Sequence, residues 1–323
     1  MSAVDWRPSV DLEVLRVRAR MLREARAYFA EQGVMEVETP ILACATVTDV
    51  HLESLATRVS GSGDYYLQTS PEYAMKRLLA AGSGDIYQIA RAFRDGERGS
   101  LHNPEFTLIE WYRIGYDASR LMDDVNALIT RLVSPHRSLT SPERLTYQTA
   151  LRSIAGIDPS TSSLADLHAC LRKHDVPPPV PPPADRDDCL DLLMSTVVGP
   201  RLGRGHLTFI HEYPVSQAAL ARIKVSDPTV AERFELYLDG IELANGFYEL
   251  CDATEQRARF ERDLVERRAR GRHEPPVDER LLAALATGLP DCAGVAVGFD
   301  RVLMGAIGAR SIDQVIAFPA DRA

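Results

Sequence analysis

The chain has 323 residues, 45% of them hydrophobic and 26% charged, with a formal net charge of -9. Such values describe a soluble globular protein, and the acidic total argues against a grip on long nucleic acids, whose affinity comes largely from neutralising phosphates. No run of about 18 apolar residues is present, so no membrane-spanning helix is expected.

The N-terminal stretch MSAVDWRPSVDLEVLRVRAR lacks both the apolar centre and the small-residue cleavage pattern of a signal peptide. Cys44, Cys170, Cys189, Cys251 and Cys292 are dispersed without a CxxC pair, which points to reduced thiols in the cytoplasm. Asp11 to Gln32 is predicted as an amphipathic helix. Leu15, Leu22 and Phe29 recur with Val14, Met21 and Tyr28 beside them, and Gly33 follows where a left-handed cap is cheapest. Val34 to Thr39 alternates up to Pro40 and reads as a short strand. Pro71 to Ala81 reads as a helix bracketed by a first-turn proline and by Gly82. Ile86 to Arg94 and Glu105 to Tyr112 read as antiparallel strands joined by a charged loop, and Met122 to Val133 as a helix.

From Val176 the sequence VPPPVPPPADRDD is stiff and polyproline-prone. It is expected to be a connector over residues 176–188 within one domain, because strand-like chemistry resumes at His206 to Tyr213, Ala231 to Tyr248 and Gly294 to Gly298. A final helix begins near Asp300. Acids and bases interleave from Arg257 to Arg272, which reads as a solvated helix face with i,i+4 pairs. Strands and helices do not alternate regularly. A single α+β domain over residues 1–323, with a mainly antiparallel β-sheet flanked by helices, is therefore expected over a doubly wound fold.

Five segments carry candidate chemistry. In Thr69-Ser70-Pro71-Glu72 the bland reading is a helix start, with Ser70 as N-cap and Glu72 as a first-turn acid. Phe93-Arg94 and His102-Asn103-Pro104-Glu105-Phe106 flank a loop, and the planar fork of Arg94 suits an α-phosphate; a hairpin with surface charges is the alternative. In the following strand, Phe106, Leu108, Glu110 and Tyr112 share one face, and Thr107, Ile109 and Trp111 the other. An acid inside such a face is costly unless a cation pairs with it, which favours the floor of a site over an edge-strand acid. Straight alternation through GIELANGFYEL sets Glu242 and Glu249 on opposite faces, but Asn245-Gly246 reads as a turn that can bring both acids to one cavity, with a hairpin carrying surface acids as the alternative. One acid would serve magnesium and the other a substrate ammonium. Lastly, Gly294, Ala296 and Gly298 share a strand face that admits a flat ligand, and Arg301 opens a helix where it can meet a phosphate or stack on a base.

Together these segments resemble the class II synthetases, specifically the lysyl-tRNA synthetase catalytic domain. Gly33 to Pro40 looks like motif 1, Phe93 to Phe106 with its strand like motif 2, and Gly298 to Arg301 like motif 3. The resemblance implies the class II catalytic fold. It implies that Arg94 holds the α-phosphate and the substrate carboxylate, that His102 and Asn103 contact ATP, that Phe106 and Arg301 sandwich adenine, and that Glu242 binds Mg²⁺. Asp95, Gly96, Leu243 and Gly298 complete the implied ATP set, with Arg94, Arg301 and Glu242 as the catalytic residues. Ser70, Pro71, Glu72, Glu110, Tyr112, Asn245, Phe247, Glu249 and Ala296 are the implied amino-acid pocket, whose acids suit a diamine.

Lysyl-tRNA synthetases carry an N-terminal anticodon-binding domain, for which the residues before Asp11 leave no room. With ATVTDVHL, TSPEYAMKRLL, HNPEFTLIEWYR, GIELANGFYEL and VIAFPADRA, the chain looks like the elongation factor P–(R)-β-lysine ligase family, which also has alanine where Ala296 stands. The resemblance implies ATP-dependent activation of (R)-β-lysine or lysine as an adenylate. It also implies transfer to a lysine of elongation factor P, a homodimer built through motif 1, and no stable nucleic-acid or membrane contact. A truncated enzyme that charges tRNA and a non-catalytic sensor are the competing readings. Two departures stand out: Gly96 replaces a usual glutamate with Glu97 following, and Tyr248 replaces a histidine expected at the pocket wall.

Overall fold

The computed structural model describes residues 6–323 except 62, 178, 180–182 and 184. The N-terminal amphipathic stripe folds as helix α1, Leu12–Glu31, and buries Met21, Ala25, Tyr28 and Phe29. The chain then forms strand β1, Met35–Glu36. It is shorter than the alternation from Val34 to Thr39 suggests: beyond the Val37 N–H bond to the Tyr87 carbonyl at 2.9 Å the pairing stops. A small sheet follows, with β2 Leu42–Ala43, β3 Ala56–Val59 and β4 Gly63–Leu67. Helix α2 spans Glu72–Ala80 and leads into the long pair β5, Ile86–Phe93, and β6, Glu105–Ile114. Helix α3, Ala118–Val133, and strand β7, Thr140–Thr146, come next. An inserted helical unit contains α4 Tyr147–Ala150, α5 Leu164–Lys173 and α6 Arg186–Leu193. The remainder is β8 His206–Pro214, β9 Val230–Leu238, β10 Ile241–Tyr248, α7 Ala253–Ala269, α8 Glu279–Gly288, β11 Cys292–Gly298 and α9 Phe299–Ile307.

Among the described residues the main sheet has eight strands in the order β1-β5-β6-β11-β10-β9-β8-β7. The β1–β5 and β7–β8 pairs at its two edges are parallel, and every pair between them is antiparallel. One face packs on α1, α3 and α9, where Phe29 stacks on Tyr87 at 4.1 Å and meets Trp111 edge-on at 5.3 Å. The other face is covered only at its ends. Met75 and Leu79 of α2, with Leu281 and Leu285 of α8, cover Ile86 and Tyr112. The inserted unit covers Ile210, Tyr213 and Tyr237 with Leu151, Leu193 and Val197. Between these two caps Asn245, Ala296 and Gly298 of the sheet floor remain partly exposed. No helix among the described residues is long and apolar enough to cross a membrane.

Two expectations change. The proline-rich connector lies partly outside the described residues, and its end is helical, because Asp185 caps α6 by accepting from the Asp188 N–H. The charged segment on α7 is solvated on one side only, for Arg259 and Arg267 are buried. Arg267 donates to the Asp49 carbonyl at 2.7 Å, the Leu52 carbonyl at 3.0 Å and the Glu53 carboxylate at 2.7 Å. The Glu53 carbonyl in turn accepts from the Asp95 N–H at 2.8 Å, so this arginine ties α7 to the loop after β5. Arg267→Ala leaves these acceptors without a partner. A loss of about 3 kcal/mol is expected, read as a lower urea midpoint at unchanged slope.

Candidate active site

The open floor is built from strand register. Ala296 of β11 pairs with Glu110 of β6 on one side and Asn245 of β10 on the other, and Gly294 pairs with Tyr112 and Phe247. Cross-strand partners share a face, so the alternation read in β6 and β11 places Glu110, Tyr112, Gly294 and Ala296 together as expected. The turn expected at Asn245-Gly246 does not exist, since β10 runs straight through both residues. The hairpin turn lies earlier, at Asp239 and Gly240, with φ of 50° and 80°. Gly246 is glycine for a packing reason: a Cβ there would lie 2.4 Å from the Phe234 ring. What carries Glu242 and Glu249 to one face is a register shift between Glu242 and Ala244, a bulge at Leu243. Leu243 itself is 2% exposed in the core, so it offers the site only its backbone.

At one end of the floor sits a cluster of acids. Ser70 does not occupy the N-cap position of α2, which falls at Pro71. Its hydroxyl donates to Glu110 Oε2 at 2.7 Å and accepts from the Glu72 N–H at 3.0 Å, joining helix start and strand acid. Pro71 contributes its carbonyl to the Met75 N–H within the helix. The Tyr112 hydroxyl donates to Glu110 Oε1 at 2.9 Å. Glu249 follows the end of β10 at 1% exposure, and Lys76 Nζ lies 2.6 Å from its Oε2 and 2.6 Å from Glu72 Oε1. The contact with Glu249 is a close ion pair rather than an aligned hydrogen bond, because both Glu249 oxygens lack a hydrogen-bond partner. Asn245 is steered from below by Arg233, whose Nε donates to Oδ1 at 3.2 Å, and Phe247 packs on Ala218 and Ala221.

Burial, then the neighbouring charge of Glu72, pushes Glu110 up to about 8, and burial pushes Glu249 up to about 7. Burial opposes the charge on Lys76, but Glu249 and Glu72 beside it outweigh that and raise its pKa. The raised acids hold protons in the folded state that they release when unfolded near pH 4.5. Their stabilising contribution is thus complete below that pH and is lost as pH rises through the folded values. The ligand-free melting temperature is expected to fall from about pH 4.5 until it levels off near pH 8, and a saturating diammonium ligand to flatten the fall. A flat ligand-free profile would contradict this electrostatic account.

The other end of the floor is cationic. The Arg94 guanidinium lies 5.0 Å over the Phe106 ring, with Nη1 3.4 Å from Glu97. Its Nε is buried and has no hydrogen-bond partner, so the fork has a donor to spare for a phosphate or carboxylate oxygen. Arg301 on α9 donates to the carbonyls of Glu242 at 3.0 Å and Leu101 at 3.2 Å, and its Nη2 meets His102 Nε2 at 2.8 Å. Burial and the Arg301 charge lower the His102 pKa, which suits an imidazole that accepts from the guanidinium. Desolvation by the surrounding protein, then the charge of Glu235, pushes Glu242 up to about 7, although its side chain keeps 41% exposure. Gly298 opens space beside Arg301, with the nearest atom to an added Cβ at 3.7 Å.

Several expected residues serve the chain more than a ligand. The Asn103 amide donates to the Glu105 carbonyl at 2.6 Å and accepts from the Ala320 N–H at 3.0 Å, pinning the C-terminal segment. Asp95 accepts from the Gly96 N–H at 2.8 Å, and Gly96 adopts φ +75°, a left-handed turn that glycine makes cheaply. Glu97 then folds back toward Arg94. Tyr248 lies on the face away from the pocket: its hydroxyl donates to Asp291 at 2.6 Å and Arg222 covers its ring at 3.6 Å. It does not form the pocket wall expected from sequence.

Two site residues escaped sequence reading. Lys76 was signalled only by the Glu72–Lys76 i,i+4 spacing, and Glu235 by its alternation with Arg233 and Tyr237. Glu235 sits on the site face, accepting from Arg233 at 2.6 Å and from the Tyr237 hydroxyl at 2.6 Å. Its oxygens are thus taken up, whereas the Glu242 side chain keeps 41% exposure and is the acid free to meet a divalent cation. The residues fit a magnesium ion held by a carboxylate and phosphate oxygens.

The class II family model described as tRNA synthetases class II (D, K and N) matches residues 1–322. A protein of Vibrio cholerae serotype O1 named elongation factor P–(R)-β-lysine ligase is 47% identical over 328 residues, covering 100% of both chains. Proteins of the same name from Salmonella gallinarum and Klebsiella pneumoniae subsp. pneumoniae are 49% identical over 323 residues, covering 98% of each chain. The antiparallel sheet and the ordered motifs agree with these likenesses, and the chain belongs to the class II tRNA synthetases (D, K and N), within the family of elongation factor P–(R)-β-lysine ligases.

Proposed function

We propose that the chain activates (R)-β-lysine, or lysine, with ATP and joins the acyl group to a lysine side chain of elongation factor P. The observation that carries the reading is one floor with two chemistries: a buried acid cluster at Glu72, Glu110 and Glu249, and an arginine pair at Arg94 and Arg301. The acids take the ammonium groups of a diamine, and the arginines take its carboxylate and the α-phosphate. In the first step a carboxylate oxygen attacks the α-phosphorus and the bond to pyrophosphate breaks. In the second a neutral acceptor ε-amine attacks the adenylate carbonyl, AMP departs with the bonding electrons, and the amine loses a proton. The chain supplies positioning and charge neutralisation rather than a covalent nucleophile. Glu242 would hold Mg²⁺ together with phosphate oxygens, and the charge of the ion would lower the cost of the departing pyrophosphate. The name borne by the relatives supports the acceptor, and Ala296 at the pocket centre supports a substrate branched differently from α-lysine.

Met35 in the motif 1 segment, and Ile41 and Leu42 directly after it, are exposed by 48%, 43% and 41%, which supports a homodimer through this face. ATP–pyrophosphate exchange with α-lysine and each β-lysine enantiomer tests the first half, with the (R)-β form expected to be preferred. Intact mass of elongation factor P, co-expressed with and without the chain, tests the second: a gain of one lysyl residue is expected. RNase-sensitive label on total tRNA, with no gain on the protein, would replace this reading by tRNA charging.

A further inference from the structure

Among the described residues, Lys76 is a charged side chain at the acid cluster that adenylate chemistry does not use. It lies on the buried face of α2 with Met75 and Leu79, 2% exposed, and reaches Glu72 and Glu249 at 2.6 Å each. Glu110, held by Ser70 and Tyr112, is the third acid of the same cavity. With all three carboxylates ionised, as bound ammonium groups would make them, one lysine ammonium leaves two negative charges where an unmatched charge is expensive. A lysine-type amino acid brings two ammonium groups, while its carboxylate goes to Arg94. The count matches only with Lys76 in place.

We propose that Lys76 is the charge-setting and positioning residue of the pocket. It is a built-in ammonium that cancels one acid and holds the Glu249 carboxylate in place, so that the cavity accepts diamino acids. This rests on the reading of the acid cluster as the amino-acid pocket. Glu72 and Glu249 reach the cavity from different elements, a helix start and a strand end. The fold brings their carboxylates to one point, and only a cation between them removes the repulsion. Without it one acid takes up a proton or turns away, and the set of acceptors for the substrate is lost.

The test compares KM for the amino acid and for ATP in pyrophosphate exchange. Lys76→Met keeps the length and apolar stem, so the fold is expected to survive. Its amino-acid KM is expected to rise about tenfold or more with KM for ATP unchanged. Lys76→Arg is expected to recover part of the loss. Lys76→Ala is expected to be relieved by added ethylammonium and not by ethanol, a rescue that a merely structural lysine would not show. Should Lys76→Ala fail to fold, the Met and Arg variants decide. An unchanged amino-acid KM in Lys76→Met, or a loss that neither Arg nor ethylammonium relieves, overturns the proposal. Glu110→Gln separates the two levels. If it raises amino-acid KM while Lys76→Met does not, the pocket reading stands and the role of Lys76 falls; if neither moves it, the pocket reading falls.

Discussion

Arg94→Ala is expected to lower ATP–pyrophosphate exchange by about 10²–10³-fold, the size of losing one preorganised charge contact to a reacting group. The reason is where its donors point. Nε is buried with no partner, and Nη1 reaches Glu97 only at 3.4 Å, so the guanidinium is held by its stacking on Phe106 rather than consumed by the protein. Charge builds on the α-phosphate as the substrate carboxylate attacks, so the loss is expected more in kcat than in KM for ATP. Arg94→Lys should restore little, because a point charge lacks the planar fork. Little stability should be lost, since the abandoned Glu97 side chain is 25% exposed and can be solvated. Arg301 makes a useful contrast. Its donors already bind two carbonyls and His102, so its replacement is expected to disturb the loop at Leu101 as well as the phosphate site. Near-normal exchange in Arg94→Ala would remove the phosphate assignment.

Much of this was legible in the sequence, for physical reasons that differ from element to element. Strand alternation is a strict period, so Glu110 with Tyr112, and Gly294 with Ala296 and Gly298, could each be assigned to one face of its own strand without coordinates. The α+β sheet followed from irregular element order. Sequence reasoning failed where one residue type has two uses. Asn245-Gly246 has the composition of a turn, yet its glycine answers to the Phe234 ring across the sheet. The bulge at Leu243 has no compositional mark, since a bulge is a register event between two strands rather than a property of one. Lys76 and Arg267 were hidden for a related reason: charges are assigned to solvent by default, and only the carboxylates and carbonyls gathered from distant segments make their burial affordable. Tyr248 was expected near the pocket wall only from the family resemblance; as the strand neighbour of Phe247 it points to the opposite face.

Gly294→Ala is expected to raise the amino-acid KM roughly tenfold to a hundredfold while leaving ATP binding intact. A Cβ at this position would lie 2.3 Å from Tyr112 Cε1 and 2.5 Å from Glu249 Oε1. Both distances are far inside van der Waals contact, so something must move. The backbone cannot easily yield, because β11 is paired along its length to β6 on one side and β10 on the other. The side chains must give instead, and they are the ones that build the pocket: Tyr112 holds Glu110, and Glu249 pairs with Lys76. Overpacking of this kind costs about 1–3 kcal/mol, which sets the size of both the stability loss and the affinity loss. Two other glycines act as internal controls. Gly298→Ala meets only ordinary contacts, the nearest at 3.7 Å, and should leave the amino-acid KM alone. Gly246→Ala runs into Phe234 at 2.4 Å on the opposite face, so it should cost stability with a much smaller effect on substrate preference. If Gly294→Ala binds the amino acid as the parent does, Tyr112 and Glu249 can shift without consequence, and the acid cluster is not the pocket.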